Sequence, residues 1–592
     1  MIRQAEFFSR LNGRAKRNVL AAAALGVVGF GASGFALVQD PRETVPPPAA
    51  KPVETGVDAP ADPTTQPTSD DDTVVLDKLS AIELINTASA TGDAAEGRGV
   101  RFAFDSVPNA DQLRRELEMF LDRPLRVSDL QRIGNAINAH YRAQDRPFVQ
   151  VSVPEQDVTD GTLRVLVLEG RAGEIEVDGT SDRAARAIKR QFRVDKGDRI
   201  RLTVLREELK WANKNPFRTV AITFEPGQNV GETDLRLTAT DRFPLQVFSG
   251  FRNTGTPTTG DERLVLGFNT INPWLHDHQI SYQVTSDAEF DHYRAHGLSY
   301  IAPLANRHTV TLFGTWARTE PMLPDPDLVS VGRSWLVSGR YSVPVKHSGW
   351  ETEVHAGFDV ARSNNNIEFG GEQVFDTSVD TIQLVVGGTM SRIDSRGQLD
   401  LRADAFLSPG NLTTANDRDA YEASRPGANP TYAYITAGLD RTTNVGNGLQ
   451  LHNALAGQIS SGPMRSSEQL GLVGTYAVRG FDEYAATGDV GFVLRSELLS
   501  PAMRPLTWLG ETGANDELRL LTLLDLGWAA NFDASDGYPD RSTAAGAGVG
   551  FRYRIGPYLS VDYAYAWQLL DADIDDDRSG RHHLSVNAMF RF

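Results

Sequence analysis

An arginine beside a glycine, flanked by aromatics, is the most chemically loaded passage of the chain: Tyr476-Ala477-Val478-Arg479-Gly480-Phe481-Asp482-Glu483-Tyr484. It stands between two segments that alternate apolar and polar residues, so it belongs to a loop. An isolated Arg-Gly pair reads first as a surface turn with a solvated arginine. The surroundings alter that reading, because Leu245 to Phe592 is one long series of amphipathic strands. Near its end, Leu523-Leu524-Asp525-Leu526-Gly527 is a strand whose inward face offers a carboxylate. A cation taken out of water needs a counter-charge. Asp525, with Gly527 two residues on along the same face, is the expected wall partner of Arg479. The loop is therefore expected to reach back into a barrel.

Other reactive-looking groups are sparse. There is no G-x-S-x-G, no H-E-x-x-H and no G-x-x-x-x-G-K-[ST], so no nucleophile, zinc or nucleotide signature is present. His276-Asp277-His278 and His582-His583 are short pairs, read as ordinary loop or strand-end histidines. Asp573, Asp575 and Asp577 have the spacing of a calcium loop, but Arg578 holds the glycine position and the closing glutamate is missing. They read as a solvated loop. No catalytic residue, metal or cofactor is expected.

The elements that must position Arg479 follow from length and pattern. At 592 residues the chain is too long for one ordinary soluble domain. Cysteine is absent, so there is neither a disulfide framework nor a thiolate metal site. A formal net charge of -18 argues against nucleic acid as a partner, since phosphate recognition needs clustered Lys and Arg. Beyond the N-terminus no run of about 18 apolar residues occurs, which excludes helical spans there. A membrane barrel stays open, because alternation averages its two faces to near neutral.

Residues 1–36 read as an export signal. Arg3, Arg10, Arg14, Lys16 and Arg17 precede an apolar core from Val19 to Leu37 that is rich in alanine and glycine. Residues 37–73 are dominated by Pro, Thr, Asp and Ala and are expected to be a disordered linker. Residues 74–170 read as a β-α-α-β-β module. Leu113, Leu117 and Phe120 line one helix, and Leu130, Ile133, Ile137 and Tyr141 line the next, with Ser128 as its N-cap. Two strands follow, joined at Asp160-Gly161. Residues 171–242 repeat the order, and two such modules in series suggest binding through exposed sheet edges.

From 243 to 592 alternation replaces helical spacing. Leu559, Val561, Tyr563, Tyr565, Trp567 and Leu569 oppose Ser560, Asp562, Ala564 and Gln568; Ile280, Tyr282 and Val284 alternate with Gln279, Ser281, Gln283 and Thr285. About sixteen such segments, many of about 11 to 14 residues, need closure to remove their edges, as in an outer-membrane barrel. Odd-numbered connections are long and polar (Pro409–Pro430, Gly462–Gly488, Asp571–Gly580) and even-numbered ones short (Pro303–Asn306, Asn444–Gly448, Gly556–Pro557), with Pro501–Glu517 longer than that rule. The last strand puts Leu584, Val586, Ala588, Phe590 and Phe592 toward lipid, and the terminal aromatics Phe590 and Phe592 read as a C-terminal barrel signal.

Taken together these passages resemble the outer-membrane transporters of two-partner secretion, the TpsB family of haemolysin secretion/activation proteins, within the superfamily of barrel-assembly proteins. The resemblance covers residues 74 to 592. It rests on Leu168-Glu169-Gly170, Asn215-Pro216-Phe217-Arg218, Asn253-Thr254-Gly255 and Ser467-Glu468-Gln469-Leu470-Gly471-Leu472 leading into Val478-Arg479-Gly480-Phe481, in this order and before an aromatic C-terminus. It implies two POTRA modules in the periplasm, a sixteen-strand barrel, and a loop after strand eleven folded into the lumen. That loop's arginine, here Arg479, would be held by an aspartate of the wall, here Asp525. Phe481 stands where tyrosine is common. A proline-rich linker stands where one member carries a plug helix.

The implied function is export of one large, unfolded, β-helical exoprotein, haemolysin- or adhesin-like, bound through the POTRA modules and passed to the cell surface. Outer-membrane lipid surrounds the barrel. The alternatives are an outer-membrane assembly factor of the same superfamily working at the seam between first and last strands, and, from another class, a passive porin or a barrel-anchored surface enzyme.

Overall fold

A computed structural model of the chain describes residues 72–87, 97–272, 277–322, 328–347, 349–369, 372–508, 510, 515–533, 539–572, 574, 576 and 578–592. The export signal, all of the linker but its last two residues, His276, Asp573, Asp575 and Asp577 lie outside the described residues.

The first module contains β1 (Val74–Leu76), β2 (Ala81–Ile85), β3 (Gly99–Phe102), α1 (Ala110–Glu118), β4 (Leu125–Arg126), α2 (Val127–Ala143), β5 (Val149–Ser152) and β6 (Thr162–Glu169). Its main sheet runs β3-β2-β6-β5, with a small β1–β4 pair beside it. The helical spacing produces the core directly: Leu113, Leu117, Phe120, Ile133, Ile137 and Tyr141 pack on Leu84, Leu163, Val165 and Val167. Gly161 turns at φ +81°, and Asp160 Oδ1 accepts from Thr162 N at 2.8 Å. Ser128 corrects an expectation. It lies inside α2, and the N-cap is Arg126, whose backbone N–H donates to Asp129 Oδ2 at 3.2 Å. The acid three residues on supplies the cap's acceptor, so the helix starts before the serine.

The second module contains β7 (Arg171–Asp178), α3 (Asp182–Gln191), α4 (Leu202–Ala212), β8 (Arg218–Pro226) and β9 (Glu232–Asp241), in sheet order β7-β9-β8. Ser181 caps α3 by accepting from Ala184 N at 3.4 Å. Asn215 Oδ1 accepts from Phe217 N at 2.9 Å, and Arg218 pairs with Asp241 at 2.8 Å, which shapes the entry to β8. The two modules are fastened at Glu169, which takes Arg146 and Arg199, each at 2.7 Å. The rings of Phe148 and Phe224 lie 4.6 Å apart beside them. Gly170 is required there, since a Cβ would sit 2.9 Å from the Phe148 carbonyl oxygen.

The remaining strands are β10 (Leu245–Arg252), β11 (Arg263–Ile271), β12 (Gln279–Ser286), β13 (Tyr293–Pro303), β14 (Thr309–Thr319), β15 (Leu328–His347), β16 (Trp350–Phe369), β17 (Glu372–Asp394), β18 (Gly397–Ser408), β19 (Tyr432–Gly446), β20 (Leu449–Ser460), the two-residue β21 (Leu470–Gly471) and β22 (Thr487–Gly488), β23 (Val490–Leu499), β24 (Asp516–Ala530), β25 (Arg541–Ile555), β26 (Leu559–Ala572) and β27 (Gly580–Arg591). All but β21 and β22 close into one antiparallel barrel of sixteen strands. Closure runs through β10 and β27, paired from Gln246–Arg591 to Arg252–Ser585. Side chains of one parity face outward and are apolar, among them Leu266, Leu298, Leu384, Val386, Leu524 and Trp567. Phe590 and Phe592 lie on that outer face, 56% and 65% exposed.

β13, β14, β18, β20, β26 and β27 have the expected 11 to 14 residues, and others fall outside that range. β10 to β12 have 8 or 9, whereas β15, β16 and β17 have 20, 20 and 23. At about 3.4 Å per residue the long strands exceed an apolar band of about 25 Å and continue past it as a paired ribbon. In the long connection over Pro501–Glu517, Met503 bridges to Leu518 of β24. The connection also holds a short helix, Pro505–Trp508, where Asp516 accepts from Leu506 N at 2.9 Å. By contrast, Asn447 and Gly448, both at positive φ, make a tight hairpin.

Candidate functional site: the inward loop and its wall

The connection between β20 and β23, residues 461–489, crosses the lumen. At one side Arg465 donates to Ser363 Oγ at 2.6 Å and Thr381 Oγ1 at 2.9 Å on β16 and β17. At the other, Gly480 N donates to His583 Nε2 at 3.1 Å, and Thr475 Oγ1 meets His583 Nδ1 at 2.9 Å, on β27. Those are strands seven and eight against strand sixteen of sixteen, opposite walls of the barrel. The loop carries its own apolar centre, in which Leu472, Val473, Val478, Phe481 and Ala486 pack on Val493, Ala529 and Ala544 of the wall. β21 and β22 close it as a hairpin.

Arg479 sits at the tip, 4% exposed, against Asp525 at 0%. Nε donates to Asp525 Oδ2 at 2.7 Å, a terminal nitrogen to Oδ1 at 2.9 Å, and the backbone N–H to Oδ2 at 3.2 Å. This is the fork geometry that makes arginine–carboxylate pairs strong and directional. The other terminal nitrogen donates to Glu497 Oε1 of β23 at 2.5 Å. Glu497 in turn holds Arg552 at 2.5 Å, His452 at 3.3 Å and Arg495 at 3.8 Å, and Arg552 reaches Asp562 at 3.3 Å. Three arginines and three carboxylates thus form a charge ladder along β23 to β26, with Arg479 as the rung that comes from the loop.

Glycine makes the close approach possible. A Cβ on Gly527 would lie 2.6 Å from Leu472 Cδ1 and 2.8 Å from Val478 Cγ2, so Gly527 leaves the hollow that receives the loop. A Cβ on Gly546 would lie 2.0 Å from the Arg479 carbonyl oxygen. Gly480 itself is at φ +108°, which only glycine adopts without strain, and its carbonyl accepts from Gln568 Nε2 at 3.1 Å. Beyond the tip, Asp482 receives Arg581 of β27 at 2.6 Å, and Arg581 also lies 3.3 Å from Asp261. Asn253 pins the same end of the seam. Its side chain donates to the His582 carbonyl and accepts from Leu584 N, both at 2.6 Å.

The structure therefore brings together Val478, Arg479, Gly480, Phe481, Asp525 and Gly527, and leaves Phe590 and Phe592 on the outer wall. Sequence reasoning missed Glu497 and His583 as partners of the loop, although strand parity already placed Glu497 inward and set His583 opposite the lipid-facing Leu584. His582 and His583 separate across the wall, His582 meeting Tyr563 at 2.8 Å on the outer side. His278 contacts Tyr300 at 2.6 Å.

The model of the haemolysin secretion/activation protein family ShlB/FhaC/HecB matches residues 231–553, more than half of the chain. The chain belongs to this family. The ShlB-type POTRA domain matches residues 98–170. Among curated relatives, the heme/hemopexin transporter protein HuxB of Haemophilus influenzae is 22% identical over 455 residues, covering 70% of this chain and 75% of that protein. The outer membrane transporter CdiB of Escherichia coli O6:K15:H31 is 24% identical over 458 residues, covering 74% and 73%. Solved CdiB structures share the fold. That from Escherichia coli gives a TM-score of 0.69 at 19% identity over 89% of this chain and 94% of the other. That from Acinetobacter baumannii gives 0.60 at 15% over 97% and 96%. The ShlB/FhaC/HecB chain is an outer-membrane transporter of two-partner secretion, a barrel that exports an exoprotein, with POTRA domains on the periplasmic side.

Proposed function

We propose that the exported partner is one large, unfolded, β-rich exoprotein, haemolysin- or adhesin-like, and that it passes through the lumen now crossed by residues 461–489. The carrying observation is that loop. It spans opposite walls and is held at its tip by the buried Arg479–Asp525 pair, an arrangement suited to a gate. Val478, Gly480 and Phe481 seat the tip, and Gly527 is its receiving hollow. The seam is paired along seven of the eight β10 residues, which favours the lumen over the seam as the path.

Capture is assigned to the modules at residues 74–170 and 171–242, by strand addition to sheet edges. β8 is an edge strand of nine residues with β9 as its one neighbour in the sheet. Backbone pairing there binds extended chains with little demand on sequence. Residues 1–36 act as the export signal, residues 37–73 as a linker, and residues 243–592 as the lipid-embedded barrel, with Phe590 and Phe592 as its assembly signal. The periplasm holds no ATP, so folding of the client outside drives transport.

The test places a photo-crosslinking amino acid at Thr223 on β8 or at Ser363 on the lumen wall, in cells exporting a stalled exoprotein. Crosslinks to the exoprotein are expected at both positions. Intact export with no crosslink at Ser363 refutes passage through the lumen, and none at Thr223 refutes capture on β8.

A further inference from the structure

The connection between β18 and β19, residues 409–431, is longer than its strands require. β18 and β19 are already paired along twelve positions, and a two-residue turn would join such neighbours. Instead the segment folds into α5 (Arg418–Ser424), capped by Asp417, whose side chain accepts from Ala420 N at 2.9 Å. The helix ends on a second buried arginine, Arg425, 1% exposed.

Arg425 donates to both oxygens of Asp489, to the Met464 carbonyl, and at 3.3 Å to Asn531 Oδ1 and the Phe532 carbonyl. Asp489 is where the inward loop rejoins the wall, one residue before β23. Its Oδ1 also accepts from Met464 N at 2.8 Å and Gln469 Nε2 at 3.1 Å, and its Oδ2 from Phe532 N at 2.9 Å. One carboxylate therefore gathers the loop's departing arm, its return and the end of strand thirteen. Among the described residues Arg425 is the one cation in contact with it. The other end of the 409–431 segment is fixed on strand eight. Thr413 Oγ1 donates to Asp380 Oδ2 at 2.6 Å, Asn416 Nδ2 to the Asp380 carbonyl at 2.9 Å, and Tyr421 O–H to that carbonyl at 3.1 Å. The segment thus bridges strands eight and thirteen over the loop's root.

We propose that Arg425 is a positioning residue for transport: acting through Asp489 it fixes the root of the inward loop, so the 409–431 segment must lift away before the lumen clears. Arg425 then holds the root of the loop while Arg479 holds its tip against the wall. This rests on the gating role assigned above to residues 461–489.

The test uses the full chain in planar lipid bilayers, with heat-modifiable gel mobility to confirm folding. Arg425→Gln is expected to raise the time spent in the high-conductance state roughly ten-fold, because a wholly buried carboxylate loses its counter-ion. Arg425→Lys should fall between, keeping the charge but not the fork. If Arg425→Gln does not assemble, Asp489→Asn asks the same question from the partner's side. A covalent version uses Gly427, whose built Cβ lies 3.7 Å from Asp533 Cβ, within the span of a disulfide. The chain has no native cysteine, so Gly427→Cys with Asp533→Cys gives one defined crosslink. Gly427 is at φ +79°, and Gly427→Cys alone controls for strain there.

Oxidation of the double variant should suppress both opening and secretion, and reduction should restore them. The inference is overturned if the oxidised protein opens and secretes as freely as the reduced one. It is also overturned if Arg425→Gln matches the wild type while Arg479→Ala opens. If neither arginine variant opens, the gating reading itself fails, and this inference with it.

Discussion

Replacing Arg479 with alanine is expected to open the barrel more than replacing Asp525, although the two form one pair. Among the described residues, every hydrogen bond to the Asp525 carboxylate comes from Arg479. Arg479→Ala therefore leaves a wholly buried carboxylate with no counter-ion on it and only the backbone N–H of residue 479, at 3.2 Å, as a donor. It also reduces the local set from three arginines and three carboxylates to two and three. Asp525→Ala instead leaves Arg479 paired with Glu497 at 2.5 Å. Breaking a buried pair from one side costs about 3–5 kcal/mol, and water entering the lumen lowers this to about 2–3 kcal/mol for Arg479→Ala. For Asp525→Ala, with one ion pair intact, about 1–2 kcal/mol is expected.

When the loop is withdrawn Asp525 faces water in either protein, so the loss falls on the closed state alone. At 1.4 kcal/mol per decade, Arg479→Ala should raise the open-to-closed ratio roughly 30- to 150-fold. The assay is single-channel recording of the folded full chain, together with the double variant, whose effect should be less than the sum of the singles. The reasoning is refuted if Arg479→Ala opens no more often than the wild type, or if Asp525→Ala opens more often than Arg479→Ala.

Two further outcomes follow from the geometry of the wall. Gly527→Leu fills the hollow that seats Leu472 and Val478, an overpacking of about 1–3 kcal/mol, so the loop should become cleavable by protease within residues 461–489 while the barrel still forms. Asn253→Ala removes two 2.6 Å bonds across the β10–β27 seam, worth about 1–2 kcal/mol together, and should lower by a few degrees the temperature at which the barrel unfolds on heat-modifiability gels.

Much of the architecture was legible in the sequence because it is carried by period. Leu113, Leu117, Ile133 and Ile137 recur at helical spacing and form the first module's core. The alternation around Ile280 and Leu559 survives as the two faces of the barrel. Arg479 and Asp525 were legible as partners for a simpler reason: a cation on an inward loop and a carboxylate on an inward face both lose water unless they meet. The start of α2 was misplaced because Ser128 satisfies a local preference, while the acceptor that fixes the helix start is Asp129 bonding back to Arg126.

By itself, then, the sequence determined the class of each segment, its inward and outward faces and the charge chemistry of the loop tip, since all of these depend on near neighbours in the chain. Only the tertiary structure decided which walls the loop reaches, that Glu497 and His583 share its tip, and that Arg425 closes on Asp489 sixty-four residues away. Those contacts depend on how the sheet closes and which strands then face each other across the lumen. Barrel closure is a property of all sixteen strands together, and no local pattern encodes it.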